Sequence, residues 1–210
     1  MRIARVLYPV TVLGPGKRIA IWVAGCTKHC KSCANPELWE KESFPDMSVA
    51  DLKQALCMLY EKTNEPVDGI TISGGEPFEQ AEELLELITF LKEKTEDILI
   101  FTGKTKEELM QEEPAALVLS EIAVLVDGEY IEEENYGEVL RGSKNQKIHI
   151  QNTAFAEKYN AYLKENEGKH LVENFQTNTG VIAVGIHKKD FKVKLEEALK
   201  NKNLIQKTEV

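Results

Sequence analysis

The sequence predicts an α/β fold, a partial (β/α) barrel carrying a small C-terminal α+β extension, and three observations carry that expectation. Short apolar runs rich in Ile, Val and Leu alternate with stretches whose apolar residues recur at helical spacing. Each run ends in Gly, Asp or Thr, residues that stop a strand or cap the next helix. After about residue 152 the alternation gives way to a different texture. Strands separated by helices pair in parallel through right-handed crossovers. Residues 1–152 therefore read as the barrel-like domain and 153–210 as the extension.

The elements follow in order. RIARVLYPV reads as a short strand, turned by Gly14-Pro15-Gly16. Arg18 to Gly25 is a second strand, apolar enough to be buried on both faces. A cysteine-bearing loop comes next, and Asn35-Pro36 breaks any helix there. Ser48 then caps a helix, with Asp51 three residues on and Val49, Leu52, Leu56 and Leu59 along one face. Val67 to Ser73 is a strand ending in Gly-Gly-Glu-Pro, and the next helix lines up Ala81, Leu84, Leu85, Ile88 and Leu91. Ile98 to Thr102 is a strand, Gly103 turns, and Thr105 with Glu108 forms a capping box. Ile122 to Val126 is a strand stopped by Asp127-Gly128. In the extension, AEKYNAYLKENEG reads as a polar helix. LVENFQ and VIAVGI flank a turn-like TNTG as a hairpin, and Phe191, Leu195, Ala198 and Leu199 mark a last amphipathic helix.

Composition narrows the function classes. A chain 42% hydrophobic and 29% charged is an ordinary globular composition, and a net charge of −9 argues against a nucleic-acid binder that neutralises phosphates. No apolar run approaches the roughly 20 residues of a membrane span. The N-terminus lacks the apolar block of a signal peptide, so a cytoplasmic protein with no membrane partner is expected. Three of the four cysteines crowd into CTKHCKSC, which in a reducing compartment points to metal or catalysis rather than disulfides.

The spacing is C-x3-C-x2-C, directly after a buried strand. Thiolates of Cys26, Cys30 and Cys33 can wrap one face of a 4Fe–4S cube, leaving the fourth iron without a protein ligand. That open position suits a reactive cluster, and the amino and carboxylate groups of S-adenosylmethionine can fill it. Two plainer readings stand beside this one. A zinc site needs a fourth ligand, which His29 would supply. A redox pair of Cys30 and Cys33 leaves Cys26 unexplained. Cys57, beside the apolar stripe of its helix, reads as core packing. The second constellation, Ser73-Gly74-Gly75-Glu76-Pro77, ends a strand at the edge where parallel α/β folds bind ligands, and its glycines permit close backbone approach.

YPVTVLGPGKR, IWVAGCTKHCKSCANPELW, ISGGEP, IFTGKTKEEL, VLVDG and LRGSKNQ, in this order and over roughly residues 7 to 147, carry a resemblance. The sequence resembles the radical S-adenosylmethionine superfamily, and within it the activating proteins of anaerobic ribonucleotide reductase. The resemblance implies a barrel of radical S-adenosylmethionine type, one 4Fe–4S cluster on Cys26, Cys30 and Cys33, and S-adenosylmethionine above it. The cofactor's amino group would meet Gly74, Gly75, Glu76 and Pro77, its adenine the backbone of Ser32, Cys33 and Ala34, and its carboxylate or ribose Thr102 and Asp127. The implied reaction is reductive cleavage to a 5′-deoxyadenosyl radical that takes hydrogen from a glycine of the large reductase subunit. An electron donor such as flavodoxin or ferredoxin would supply the electron.

The sequence departs from the resembled pattern in three places: Ser32 stands where many superfamily members have an aromatic, Lys104 replaces the aromatic after Thr-Gly, and the extension runs past the end of shorter activases. The extension has three readings: a cover of the barrel mouth, a dock for another partner or the wall of a substrate pocket. His149, His170 and His187 read as surface or packing residues, EYIEEEN as a solvated turn, and Arg141 as a pairing residue rather than a catalytic one. The alternatives to an activase are a radical enzyme acting on another peptide or small molecule, and a non-enzymatic iron–sulfur or zinc module.

Overall fold

The computed structural model describes residues 1–63, 66–177, 180–189, 191, 193–195 and 197. In chain order the elements are β1 (Ile3–Val10), β2 (Arg18–Val23), α1 (Val49–Lys62), β3 (Gly69–Gly74), α2 (Ala81–Leu91), β4 (Ile98–Phe101), α3 (Lys106–Leu109), α4 (Glu113–Glu121), β5 (Val124–Asp127), β6 (Lys147–Ile150), α5 (Ala156–Glu165), β7 (Val172–Thr177) and β8 (Gly180–Gly185). Of the last expected helix, Phe191, Leu195 and the other described residues 193, 194 and 197 are helical, while Ala198 and Leu199 lie outside the described residues.

The fold is α/β, with six strands in one sheet in the order β1-β2-β3-β4-β5-β6. β2 to β5 run parallel, as the alternation with helices requires. β1 and β6 run antiparallel to their neighbours. The link from β1 to β2 is a short turn around Gly14-Pro15-Gly16, and a parallel pairing would need a crossover of a dozen residues or more. Among the described residues β1 pairs only with β2 and β6 only with β5, so the sheet is open. The register sets Val23 beside Gly74 and Phe101 beside Val126, which brings the C-terminal ends of four parallel strands to one edge.

Alternation along the strands sorts side chains onto two faces. On one, Ile19, Ile21, Val23, Ile70, Ile72, Ile98, Ile100 and Leu125 pack against α1, α2 and α4. Ser48 accepts from the Asp51 amide and fixes the start of α1. The buried stripe of α2 is Leu84, Leu87, Ile88 and Leu91. Leu87 holds the place expected for Leu85, because i, i+3, i+4 and i+7 counted from Leu84 pass through it.

The extension covers the other face. Val10, Leu13, Ala20, Trp22 and Leu38 meet Phe175, Ile182 and Val184 of the β7–β8 hairpin. Leu99 and Val124 meet Tyr159 and Tyr162 of α5. Arg18 and Asp97, both buried, lie at the N-terminal ends of β2 and β4 and join 3.0 Å apart. Arg18 Nε also donates to Thr71 Oγ1 at 2.7 Å. Asp97 collects Tyr159 Oη at 2.7 Å and Lys158 Nζ at 2.6 Å from α5. Burial alone would raise the Asp97 pKa, but Arg18, Lys158 and Tyr159 outweigh it and hold the carboxyl below its ordinary value. Among the described residues no helix is long and apolar enough to cross a membrane.

Candidate functional site

The end of β2 delivers the cysteine loop to the sheet edge. The Gly25 amide donates to the Leu38 carbonyl at 2.7 Å and the Cys26 amide to the Trp39 carbonyl at 3.1 Å, closing the loop at its base. Inside, the Cys33 amide donates to the Cys30 carbonyl at 3.1 Å, and the Asn35 amide points at Cys33 Sγ from 3.4 Å. Two residues there, His29 (φ 48) and Ser32 (φ 57), take the left-handed conformation that L side chains resist. Each has a holding contact: His29 stacks on Trp39 with ring centroids 4.5 Å apart, and Ser32 hydrogen-bonds Glu132. Lys31 Nζ reaches Glu132 at 3.2 Å and Glu133 at 3.0 Å.

Beside the loop, the turn after β3 is stitched to the end of β2. The Gly75 amide donates to the Val23 carbonyl at 2.8 Å, and the Glu76 amide to the Gly25 carbonyl at 2.7 Å. A Cβ on Gly75 would stand 2.1 Å from the Gly25 carbonyl oxygen, so only glycine lets the two loops meet. The buried Glu76 carboxylate accepts from Phe78 N at 3.1 Å, Thr102 Oγ1 at 2.8 Å and Gly103 N at 2.8 Å, tying the end of β3 to the end of β4. Burial pushes the Glu76 pKa up in spite of these three donors.

These elements surround a cavity of about 460 Å³. Cys26, Cys30 and Cys33 line it together, with Ser32, Ala34, Gly74, Gly75, Glu76 and Thr102. Burial raises the thiol pKa of Cys26, opposed by backbone N–H groups of Lys28 and His29. Burial and then Glu129 raise that of Cys30. A soft metal centre that takes these thiols as thiolates overrides both effects. Three sulfur donors around one cavity, with amide N–H groups aimed at sulfur, are a donor set suited to an iron–sulfur cluster.

Asp127 and Pro77 are not among the residues that line the cavity. The Asp127 carboxylate is occupied: Oδ2 accepts the Lys106 amide at 2.7 Å, and Oδ1 meets His149 Nε2 at 3.1 Å. Pro77 opens the 3-10 turn leading into α2. Lys104 turns to Glu112, 3.1 Å away, and Arg141 pairs with Glu138.

Other lining residues escaped sequence reasoning. Tyr130, Glu132, Asn135 and Gln146 belong to the segment between β5 and β6, and Gly185, His187, Lys188, Lys189 and Phe191 to the extension. The run EYIEEEN, expected as a solvated turn, instead brackets the cysteine loop through Glu132 and Glu133. His187 stacks on Phe191 with centroids 4.0 Å apart, and its carbonyl accepts from Asn135 Nδ2 at 2.9 Å. The signal available for the first group was LRGSKNQ, since Gln146 ties Gly128, Gly142 and Ser143 together.

Residues 12–149 match the family described as a 4Fe-4S single cluster domain. The anaerobic ribonucleoside-triphosphate reductase-activating protein of Vibrio cholerae is 37% identical over 155 residues, which is 68% of this chain and 94% of that protein. Proteins of the same name from Haemophilus influenzae and Escherichia coli K12 are 34% and 31% identical over 151 and 148 residues, again 68% of this chain and 94% of each. The match takes in the cysteine loop, the glycine turn and every strand of the parallel sheet, and with that extent this chain belongs to the 4Fe–4S single cluster family, among the anaerobic ribonucleoside-triphosphate reductase-activating proteins.

Proposed function

We propose that this chain activates an anaerobic ribonucleotide reductase by generating a glycyl radical on its large subunit. The observation that carries the reading is the convergence of Cys26, Cys30 and Cys33 with the Gly74–Glu76 turn on one cavity, in a chain of the activating-protein family. On this reading the open sheet is the wall of a partial (β/α) barrel of radical S-adenosylmethionine type, and the cavity is its mouth. Cys26, Cys30 and Cys33 would hold three irons of a 4Fe–4S cluster, and S-adenosylmethionine would take the fourth. With one electron from a donor such as flavodoxin or ferredoxin, that pair would supply the chemistry of splitting S-adenosylmethionine into methionine and a 5′-deoxyadenosyl radical able to take the α-hydrogen of the partner's glycine.

The chain's own part is placement. Gly74 and Gly75 would bring backbone groups against the cofactor's amino end, and Glu76, itself held by Thr102 and Gly103, fixes that turn. Ser32, Cys33 and Ala34 would meet the adenine by backbone, and Thr102 the carboxylate or ribose. Asp127 contributes through Oδ2, which holds the end of β5 to α3. Glycine suits the donor role because its α-radical is shared with the flanking amide groups and no side chain blocks approach.

A second reading, a radical enzyme acting on another peptide or a small molecule, is favoured by one observation: residues of the extension line the same cavity. One experiment separates the two. Anaerobically reconstituted protein is reduced with S-adenosylmethionine and the reductase of its own source, and electron paramagnetic resonance and 5′-deoxyadenosine release are followed. A glycyl doublet on the reductase is the expected result. Release of 5′-deoxyadenosine with no doublet favours the second reading, and no release overturns both.

A further inference from the structure

The curated relatives are matched over 94% of their length by only 68% of this chain, with the family match ending at residue 149, so the extension has no counterpart in them. α5 and the β7–β8 hairpin fill the sheet face opposite α1, α2 and α4, through Tyr159, Phe175, Ile182 and Val184. From the end of β8 the backbone then runs over the cavity. Gly185, His187, Lys188, Lys189 and Phe191 form the wall facing the strand ends and the cysteine loop.

That wall is anchored at several points. The Asn135 amide holds the His187 carbonyl at 2.9 Å, His187 stacks on Phe191, and the Phe191 amide donates to the Lys188 carbonyl at 3.1 Å. Gly185 takes φ +145, and a Cβ there would lie 2.2 Å from the Leu171 carbonyl oxygen. Where β8 turns toward the cavity, glycine alone gives this path. In a protein of net charge −9, Lys188 and Lys189 make the added wall cationic, and Lys189 also acts electrostatically on Glu132, which Lys31 and Ser32 engage as well.

We infer that Gly185 to Lys189 together with Phe191 form the donor-side wall of the site and a specificity-determining element, contacting the peptide that carries the hydrogen donor as it enters the cavity. The inference rests on the proposed radical chemistry and names what selects its hydrogen donor.

The test compares three full-site proteins carrying equal iron per chain: the natural chain, Gly185→Ala, and a chain ending at Gly185, which keeps α5 and the hairpin. The probe is a fluorescent peptide of the glycine-containing C-terminal loop of the large reductase subunit from the same source, read by anisotropy, alongside 5′-deoxyadenosine release without any donor. The natural chain should bind the peptide, with affinity lower by about tenfold or more in both variants while cofactor cleavage persists in each. Equal or tighter binding by the shortened chain, or no binding by the natural chain, overturns the inference. Absence of 5′-deoxyadenosine from all three instead sinks the proposed chemistry, and the binding comparison stands apart from it.

Discussion

At the scale of single residues, the site depends on a few positions where one atom decides the outcome. Replacing Cys30 by Ala removes one sulfur donor of three, and the expected result is loss of bound iron and of cofactor cleavage together, checked by iron content and product release. A variant that retains both would refute the ligand assignment. Gly75→Ala forces the Gly75 and Gly25 loops apart, since the new methyl would overlap the Gly25 carbonyl. S-adenosylmethionine affinity should fall by about tenfold or more, measured by equilibrium dialysis on reconstituted protein, with secondary structure intact. The three cysteines and the Gly-Gly-Glu-Pro turn were legible in the sequence because spacing and strand-end position are local properties. Asn135 and His187 were not, because they meet each other through a contact distant in sequence.

At the scale of elements, periodicity carried the reading where burial was one-sided and weakened where the extension packed on the sheet. The parallel order of β2 to β5 followed from alternation with helices, whereas the antiparallel edges depended on how short or helix-poor their links are. α5 looked polar in sequence because its charged residues outnumber the single fully buried Tyr159. That tyrosine and Lys158 dock the helix onto Asp97, which Arg18 also holds. Asp97→Ala leaves Arg18 buried and unpaired, so a loss of about 3–5 kcal/mol in unfolding free energy is expected from chemical denaturation. The pH dependence has a definite sign. The folded carboxyl titrates below its ordinary value of 3.8, so its stabilisation is present above that pH and disappears as pH falls through the lower folded value. Asp97→Asn should flatten the acid limb of a stability-against-pH curve, and an unchanged limb would show that other carboxylates dominate it.

At the scale of the whole molecule, the core and the chemistry occupy separate regions. The largest apolar cluster lies between the sheet and α1, α2 and α4 and includes none of the three loop cysteines. Removing iron with a chelator is therefore expected to leave far-ultraviolet circular dichroism and cooperative thermal unfolding in place while abolishing S-adenosylmethionine binding, unlike small zinc domains that unfold without metal. Collapse of the dichroism would show that the cluster is part of the fold. The placement of Lys158 and Tyr159 on Asp97 also sets an asymmetry in how far the chain can be shortened. Pruning back to Gly185 removes the awning above the cavity and keeps α5 and the hairpin. Cutting to the length of the shorter relatives would pull out the keystone of the opposite end, opening the Arg18–Asp97 pair to water on the side that α5 now seals.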